Sequence, residues 1–190
     1  AIAIDPTFAR AYEALASAWA ILPSWSGISN QESMQNAKPA AVKALQLDAT
    51  LSEARAILAE AAFDEGEWLA AINEYEQAIE VDPRNPTLHQ WFGEALTAMG
   101  YLSKGLEQAL VAVELDPGSP VVNSSVVWAA TINREDELAF KHVEIAKNTG
   151  TGRRAIFNAI DASIRRGTLA EDISQVDLSD APEIFKTCLL

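Results

Sequence analysis

The chain has 190 residues, a formal charge of −13, 49% hydrophobic residues and a single cysteine, Cys188. Composition and length fit one globular domain or one short solenoid. A chain this acidic repels phosphate, which excludes nucleic acid and anionic membrane surfaces as partners, and one cysteine excludes an internal disulfide.

A short phrase recurs along the chain: AIAIDP from Ala1, ALQLDA from Ala44, AIEVDP from Ala78 and AVELDP from Ala112, with a worn copy, AKNTGT, from Ala146. The steps are 43, 34, 34 and 34 residues. A period in this range is the mark of stacked repeats, each a unit unable to bury its apolar side alone. Residues 1–6 read as the tail of a second helix whose first helix is missing, so a preceding repeat or domain is expected. Residues 7–50 form the first unit, with Tyr12, Leu15, Ala16 and Trp19 in one helix and Ala37, Ala41 and Ala44 in another. Between them lie about nine extra residues carrying Trp25, a candidate loop anchor or an end-packing residue. Pro39 predicts a late start or a kink in the second helix.

Residues 51–85 show the unit most clearly. Ala54, Leu58, Ala61 and Ala62 recur at helical spacing, Gly66 ends that helix, and Trp68, Ala71, Ile72, Tyr75, Ala78 and Ile79 define the next. Pro83 stops it. Residues 86–119 repeat the pattern with Leu88, Phe92, Ala95 and Leu96, a turn at Gly100, then Leu102, Leu106, Ala109, Leu110 and Val113. Pro86 and Pro120 fall where first helices begin, which tolerates a missing N–H. Residues 120–150 keep Val126, Ala129, Ala130, Ala139 and Ala146, but Arg134 stands where the turn glycine belongs. Residues 151–190 read as a degenerate repeat, with Ile156, Ile160 and Ile164 on one side, followed by capping helices. The acidity belongs to the repeats: residues 1–149 hold 9 basic and 21 acidic side chains, residues 150–190 hold 5 and 6.

The pattern resembles the tetratricopeptide repeat, a helix–turn–helix unit of 34 residues. Leu58 with Ala59, and Phe92 with Gly93, occupy the large–small pair of its first helix. Ala71 and Gly105, then Ala78 and Ala112, are its small contact residues, and Pro83 and Pro117 its terminal prolines. The resemblance implies an all-α fold, a right-handed α-solenoid of antiparallel helix pairs, whose first helices line a concave peptide-binding face. Transferred by position, the groove residues are Arg10, Glu13, Ser17 and Ala20; Glu53, Ala56, Glu60, Phe63 and Asp64; Thr87, Gln90, Glu94 and Thr97; and Val121, Ser124, Trp128 and Thr131. Asn158 and Arg165 follow if the last helix stacks in register. More loosely, the first 120 or so residues resemble the repeat tails of bacterial class III nucleotide cyclases and winged-helix transcription regulators.

Two readings of Glu13, Glu53, Glu60, Asp64 and Glu94 stand side by side: an acidic groove that steers a basic peptide, or a solvated face of an acidic protein. The lysine–arginine–asparagine clamp by which one tetratricopeptide subfamily holds chaperone tails is missing. Its positions hold Glu13, Ser17, Ala56, Glu60, Gln90 and Glu94, so chaperone-tail binding is rejected. Trp128 is either a binding anchor or a residue under the C-terminal cap. Trp19, Trp68 and Trp91 read as core. His89 and His142 lie far apart in the repeat scheme without a second ligand, so no metal is expected. Arg153, Arg154, Arg165 and Arg166 read as partners of nearby carboxylates such as Asp161. No nucleophile elbow or phosphate loop is present, and no cofactor is implied.

The expected function is therefore a non-catalytic protein- or peptide-binding scaffold within a larger bacterial signalling protein. Its rivals are a self-association module that forms a homodimer and, less favoured, an enzyme built on the solenoid. No run of about 18 apolar residues spans a membrane, the start lacks a signal-peptide layout, and the C-terminus falls one residue short of a prenylation box. The expected location is the cytoplasm.

Overall fold

A computed structural model describes residues 1–24 and 26–148. Trp25 and residues 149–190, with Asn158, Arg165, the arginine cluster and the capping helices, lie outside the described residues. Among the described residues the chain is all-α: α1 (Ala9–Ile21), a 3₁₀ turn (Leu22–Ser24), α2 (Asn30–Leu47), α3 (Ser52–Asp64), α4 (Trp68–Val81), α5 (Pro86–Ala98), α6 (Leu102–Leu115), α7 (Pro120–Asn133) and α8 (Asp136–Asn148). Each odd-numbered helix pairs with the helix that follows, and α1, α3, α5 and α7 also meet one another in succession. The result is a solenoid with the first helices on one side and the second helices on the other.

Alanine dominates the core. Ala37, Ala41 and Ala44 of α2, Ala54 and Ala59 of α3, Ala71 and Ala78 of α4, and Ala112 of α6 are fully buried. Such small side chains bring paired helices close, and the larger Ile57, Tyr75, Leu88, Phe92 and Val126 fill the space between hairpins. Tyr75 of α4 stacks on Phe92 of α5, ring centroids 5.2 Å apart. The closest approach is between α5 and α6. A Cβ added to Gly105 would lie 2.1 Å from the Thr97 hydroxyl and 2.8 Å from the Gly93 carbonyl oxygen, so only glycine fits there.

The turns are set by backbone conformation. Gly66 and Gly100 adopt φ of 78° and 88° after α3 and α5, the left-handed region that glycine enters without a Cβ penalty. Arg134 takes over that role after α7 with φ 61°, a conformation that is strained for a side chain of this size. Pro86 and Pro120 each open a first helix, and Asn85 caps α5 by accepting from the Thr87 N–H at 3.0 Å.

Two expectations need correction. Pro39 does not delay its helix: α2 starts early, at Asn30, and Pro39 lies inside it. By the repeat spacing α2 would begin at Met34, as α4 begins at Trp68. The insertion is therefore a loop plus one extra helical turn, residues 30–33. Ser29 caps that turn, accepting from the Glu32 N–H at 3.2 Å, and the buried Ser33 hydroxyl donates to the Trp19 carbonyl, tying it to α1. Trp68 is not core. It is 56% exposed at the first residue of α4, beside Leu69 at 81%, within a run of exposed residues from 64 to 70. Trp19 and Trp91 do pack against the core.

A polar pair crosses three hairpins at one register, residues nineteen apart: Arg55 with Glu74 (3.0 Å), His89 with Gln108 (2.7 Å) and Asn123 with His142 (2.8 Å). In the last two the first-helix member also reaches back to the preceding turn. His89 Nε2 donates to the Pro83 carbonyl at 3.0 Å. Asn123 Nδ2 donates to the carbonyls of Pro117 and Ser119, at 3.0 and 2.8 Å. With both amide protons spent, Asn123 presents only its oxygen to His142, whose Nδ1 must donate. Burial, helped by Lys141, holds the His142 imidazole below its ordinary pKa. Asn123→Ala removes three bonds and His142→Ala one. The expected loss is about 2–3 kcal/mol for the first and about 1 kcal/mol less for the second, read from urea midpoints.

Candidate functional site

The face shared by α1, α3, α5 and α7 collects most of the charged groove candidates. Glu53 is its organising carboxylate. It accepts from the Ser17 hydroxyl of α1 at 3.5 Å and from Asn85 Nδ2 at the start of α5 at 3.3 Å, so it ties three first helices together. Burial raises the pKa of Glu13, and the neighbouring Glu53 raises it further, while the Ala54 N–H opposes them. Gln90 donates to Glu94 at 3.2 Å along α5.

Glu60 occupies the centre of this face. It is half-buried, and its carboxyl accepts from the hydroxyl of the fully buried Tyr75. Burial is the main reason its pKa is pushed up to about 7, with Glu94 and Asp64 adding to the rise and the Tyr75 hydroxyl opposing it. The same surroundings push Tyr75 well above its usual range, burial first and then Glu60. Asp64 is raised by burial and by Glu65. Glu60 and Glu94 hold the same position in successive repeats, which places them side by side on α3 and α5. The arrangement presents carboxylates to a cation, and it leaves Glu60 about half-ionised at neutral pH.

Other candidates fall differently. Gln90 and Thr97 are buried, at 8% and 3% exposure, and Ala56 and Thr131 are buried too, so they do not line an accessible groove. Thr97 turns toward α6 because Gly105 leaves it room, and its hydroxyl donates to the Gly93 carbonyl at 2.8 Å. Gln90 and Ala56 are covered where α3 and α5 stack. Phe63 is half-buried against the cluster around Tyr75, and Ser124 spends its hydroxyl on the Pro120 carbonyl at 2.8 Å. Trp128 is half-buried on α7. Asp64 is exposed and also borders a cleft of about 950 Å³ along α2, floored by Met34, Pro39, Val42 and Ala61. That cleft uses the extra turn of α2, a feature that the position-by-position transfer of groove residues passes over. The early helix start was signalled by Ser29 followed three residues later by Glu32. Among the described residues no group of three or more His, Cys, Asp or Glu side chains could hold a metal, and no helix is long and apolar enough to cross a membrane.

Residues 59–100 match the tetratricopeptide repeat family model. No curated protein matches the sequence significantly. Several solved structures share the fold. YrrB, reported as a TPR protein with an unusual peptide-binding site, is 17% identical with a TM-score of 0.57, over 88% of this chain and 82% of its own. The Sgt2 TPR domain from Aspergillus fumigatus is 23% identical with a TM-score of 0.53, over 70% of this chain and 89% of its own. Yeast Tom70 is 17% identical with a TM-score of 0.62 over 91% of this chain, which spans only 36% of Tom70. The chain likewise spans 26% of the Thermobaculum terrenum O-GlcNAc transferase that it resembles at a TM-score of 0.58 and 20% identity. The described helices share the solenoid fold of these tetratricopeptide-repeat structures, and residues 59–100 carry the sequence pattern of the repeat itself.

The protonation of Glu60 has a measurable consequence. The folded protein binds this proton at about pH 7, whereas an unperturbed glutamate binds it near 4.5. Stability from this group is thus full below about pH 4.5 and is lost as pH rises through about 7. Glu60→Gln keeps an acceptor for Tyr75 but carries no charge. Its melting temperature relative to wild type should climb between pH 4.5 and 7 and level off by pH 8 in thermal scans. A flat difference across that window contradicts the raised pKa.

Proposed function

We propose that the concave face of α1, α3, α5 and α7 receives a segment of a partner protein, and that its carboxylates select basic residues. The repeat fold supports a protein-interaction scaffold. The observation that carries the finer reading is the alignment of Glu13, Glu53, Glu60 and Glu94 on adjacent first helices, all of them only half-buried. Glu13, Ser17, Glu53, Glu60, Phe63, Glu94, Ser124 and Trp128 are the proposed contact residues, with Asp64 at the edge. Carboxylates ranked along one side attract a basic segment at long range and hold it by charge-assisted hydrogen bonds. Catalysis is not part of this proposal, because the raised carboxylates line an open face and Glu60 already bonds Tyr75. The chain is proposed to be the interaction part of a larger signalling protein, working in the cytoplasm. That reading draws on the resemblance of its first 120 or so residues to bacterial regulator tails.

Charge reversal tests the groove. Glu60→Lys with Glu94→Lys should weaken binding of a tetra-arginine peptide about tenfold or more at low salt and flatten the dependence of affinity on salt, by isothermal titration. Unchanged affinity and slope would sink the acidic-groove reading.

A second reading, self-association, is favoured by the open side of α1. Ile4 is 90% exposed, Phe8 48% and Leu15 41%. Tyr12, on the same helix, packs against the first core cluster. Light scattering that gives twice the chain mass, reverting to one chain mass with Phe8→Asp and Leu15→Asp, is the expected outcome if this side pairs two copies.

A further inference from the structure

The concave face changes character along its length. Among the described residues its charged side chains come from α1, α3 and α5 and end at Glu94. α7, Pro120–Asn133, contains no aspartate, glutamate, lysine or arginine. Where α3 holds Glu53 and Glu60, α7 holds Val121 and Trp128, two repeat steps further on. Val121 is 56% exposed and Trp128 is half-buried. Ser124, between them, has its hydroxyl committed to its own helix. A face kept only for solvation in so acidic a chain would go on carrying charge here. This end offers an aliphatic and an aromatic surface instead, the kind of surface that becomes a binding anchor when covered.

We propose that the groove is bipartite: it fits an extended peptide with basic residues opposite Glu60 and Glu94 and an aromatic or aliphatic anchor resting on Val121 and Trp128. The proposal rests on the reading of this face as a peptide groove. Charge complementarity sets the basic end. The uncharged surface of α7 sets the other end, because a cation there would lose water without gaining a counter-charge. Packed helices lie about 8–10 Å apart, and an extended chain covers about 3.3 Å per residue. Basic block and anchor are therefore separated by about three residues.

Four synthetic peptides test this on the 190-residue chain: four arginines, the block Leu-Trp-Leu, and the two joined through a three-residue Gly/Ser spacer in each order. The joined peptide, in one order, should bind at least about tenfold more tightly than four arginines alone, since linkage makes the second contact intramolecular. Trp128→Ala should cancel that gain, so that the joined peptide binds this variant no more tightly than four arginines do. Should Trp128→Ala perturb folding, Val121→Asp provides the same test, because a carboxylate suits the first turn of α7. A gain below about tenfold in both orders overturns the proposal. So does a gain that survives both substitutions. Failure of four arginines to bind at all removes the groove reading itself, a result distinct from either of these.

Discussion

How closely two helices can approach governs the rest of this structure. The first and second helices of each hairpin meet through alanine and glycine, and at Gly93 and Gly105 the backbones come so near that no Cβ fits at residue 105. A hairpin packed this tightly has little apolar surface of its own to bury, so its larger side chains must find partners in the next unit. Tyr75 on Phe92 is that dependence in a single contact. Close approach within a unit and reliance on its neighbours produce the stack, and the stack turns the first helices toward one side.

The same constraint decides what reaches solvent on the concave face. Stacking covers Ala56 and Gln90, and the gap at Gly105 draws Thr97 inward. What stays accessible is a narrower set centred on Glu53, Glu60 and Glu94. Glu60 is held against a buried tyrosine hydroxyl in a low-dielectric setting, with like charges beside it. Such a carboxyl gains most from an incoming cation, which supplies the counter-charge that its surroundings withhold.

Much of this was legible in the sequence, for identifiable reasons. Period and small residues are one-dimensional signals, so the helices and the turns at Gly66 and Gly100 could be read directly. Glu60 could be placed on the groove side by register, but its bond to Tyr75 depends on a contact across the hairpin that register alone does not specify. Thr97 and Gln90 read as groove residues by register but are buried, because helical phase tells which way a residue points, not how far a neighbour closes over it. Trp68 falls at a stacking position of the repeat, which reads as core, yet the start of α4 around it is exposed from residue 64 to residue 70. Pro39 looked like a helix breaker, whereas the Ser29 cap and the bond from Ser33 to the first helix fix a start nine residues upstream of it.

The polar pairs that cross the hairpins differ in chemistry at one shared register: guanidinium with carboxylate, imidazole with amide, amide with imidazole. Repeats that resemble one another run a risk during folding, since the first helix of one can pair with the second helix of another, within a chain or between chains. Here such an exchange sets Arg55 against Gln108 or His142 and leaves a guanidinium without its carboxylate between packed helices. The pairs thus work as addresses. Each second helix carries a polar partner for its own first helix, and an exchanged pairing of α3 gives up the ion pair that the native order makes.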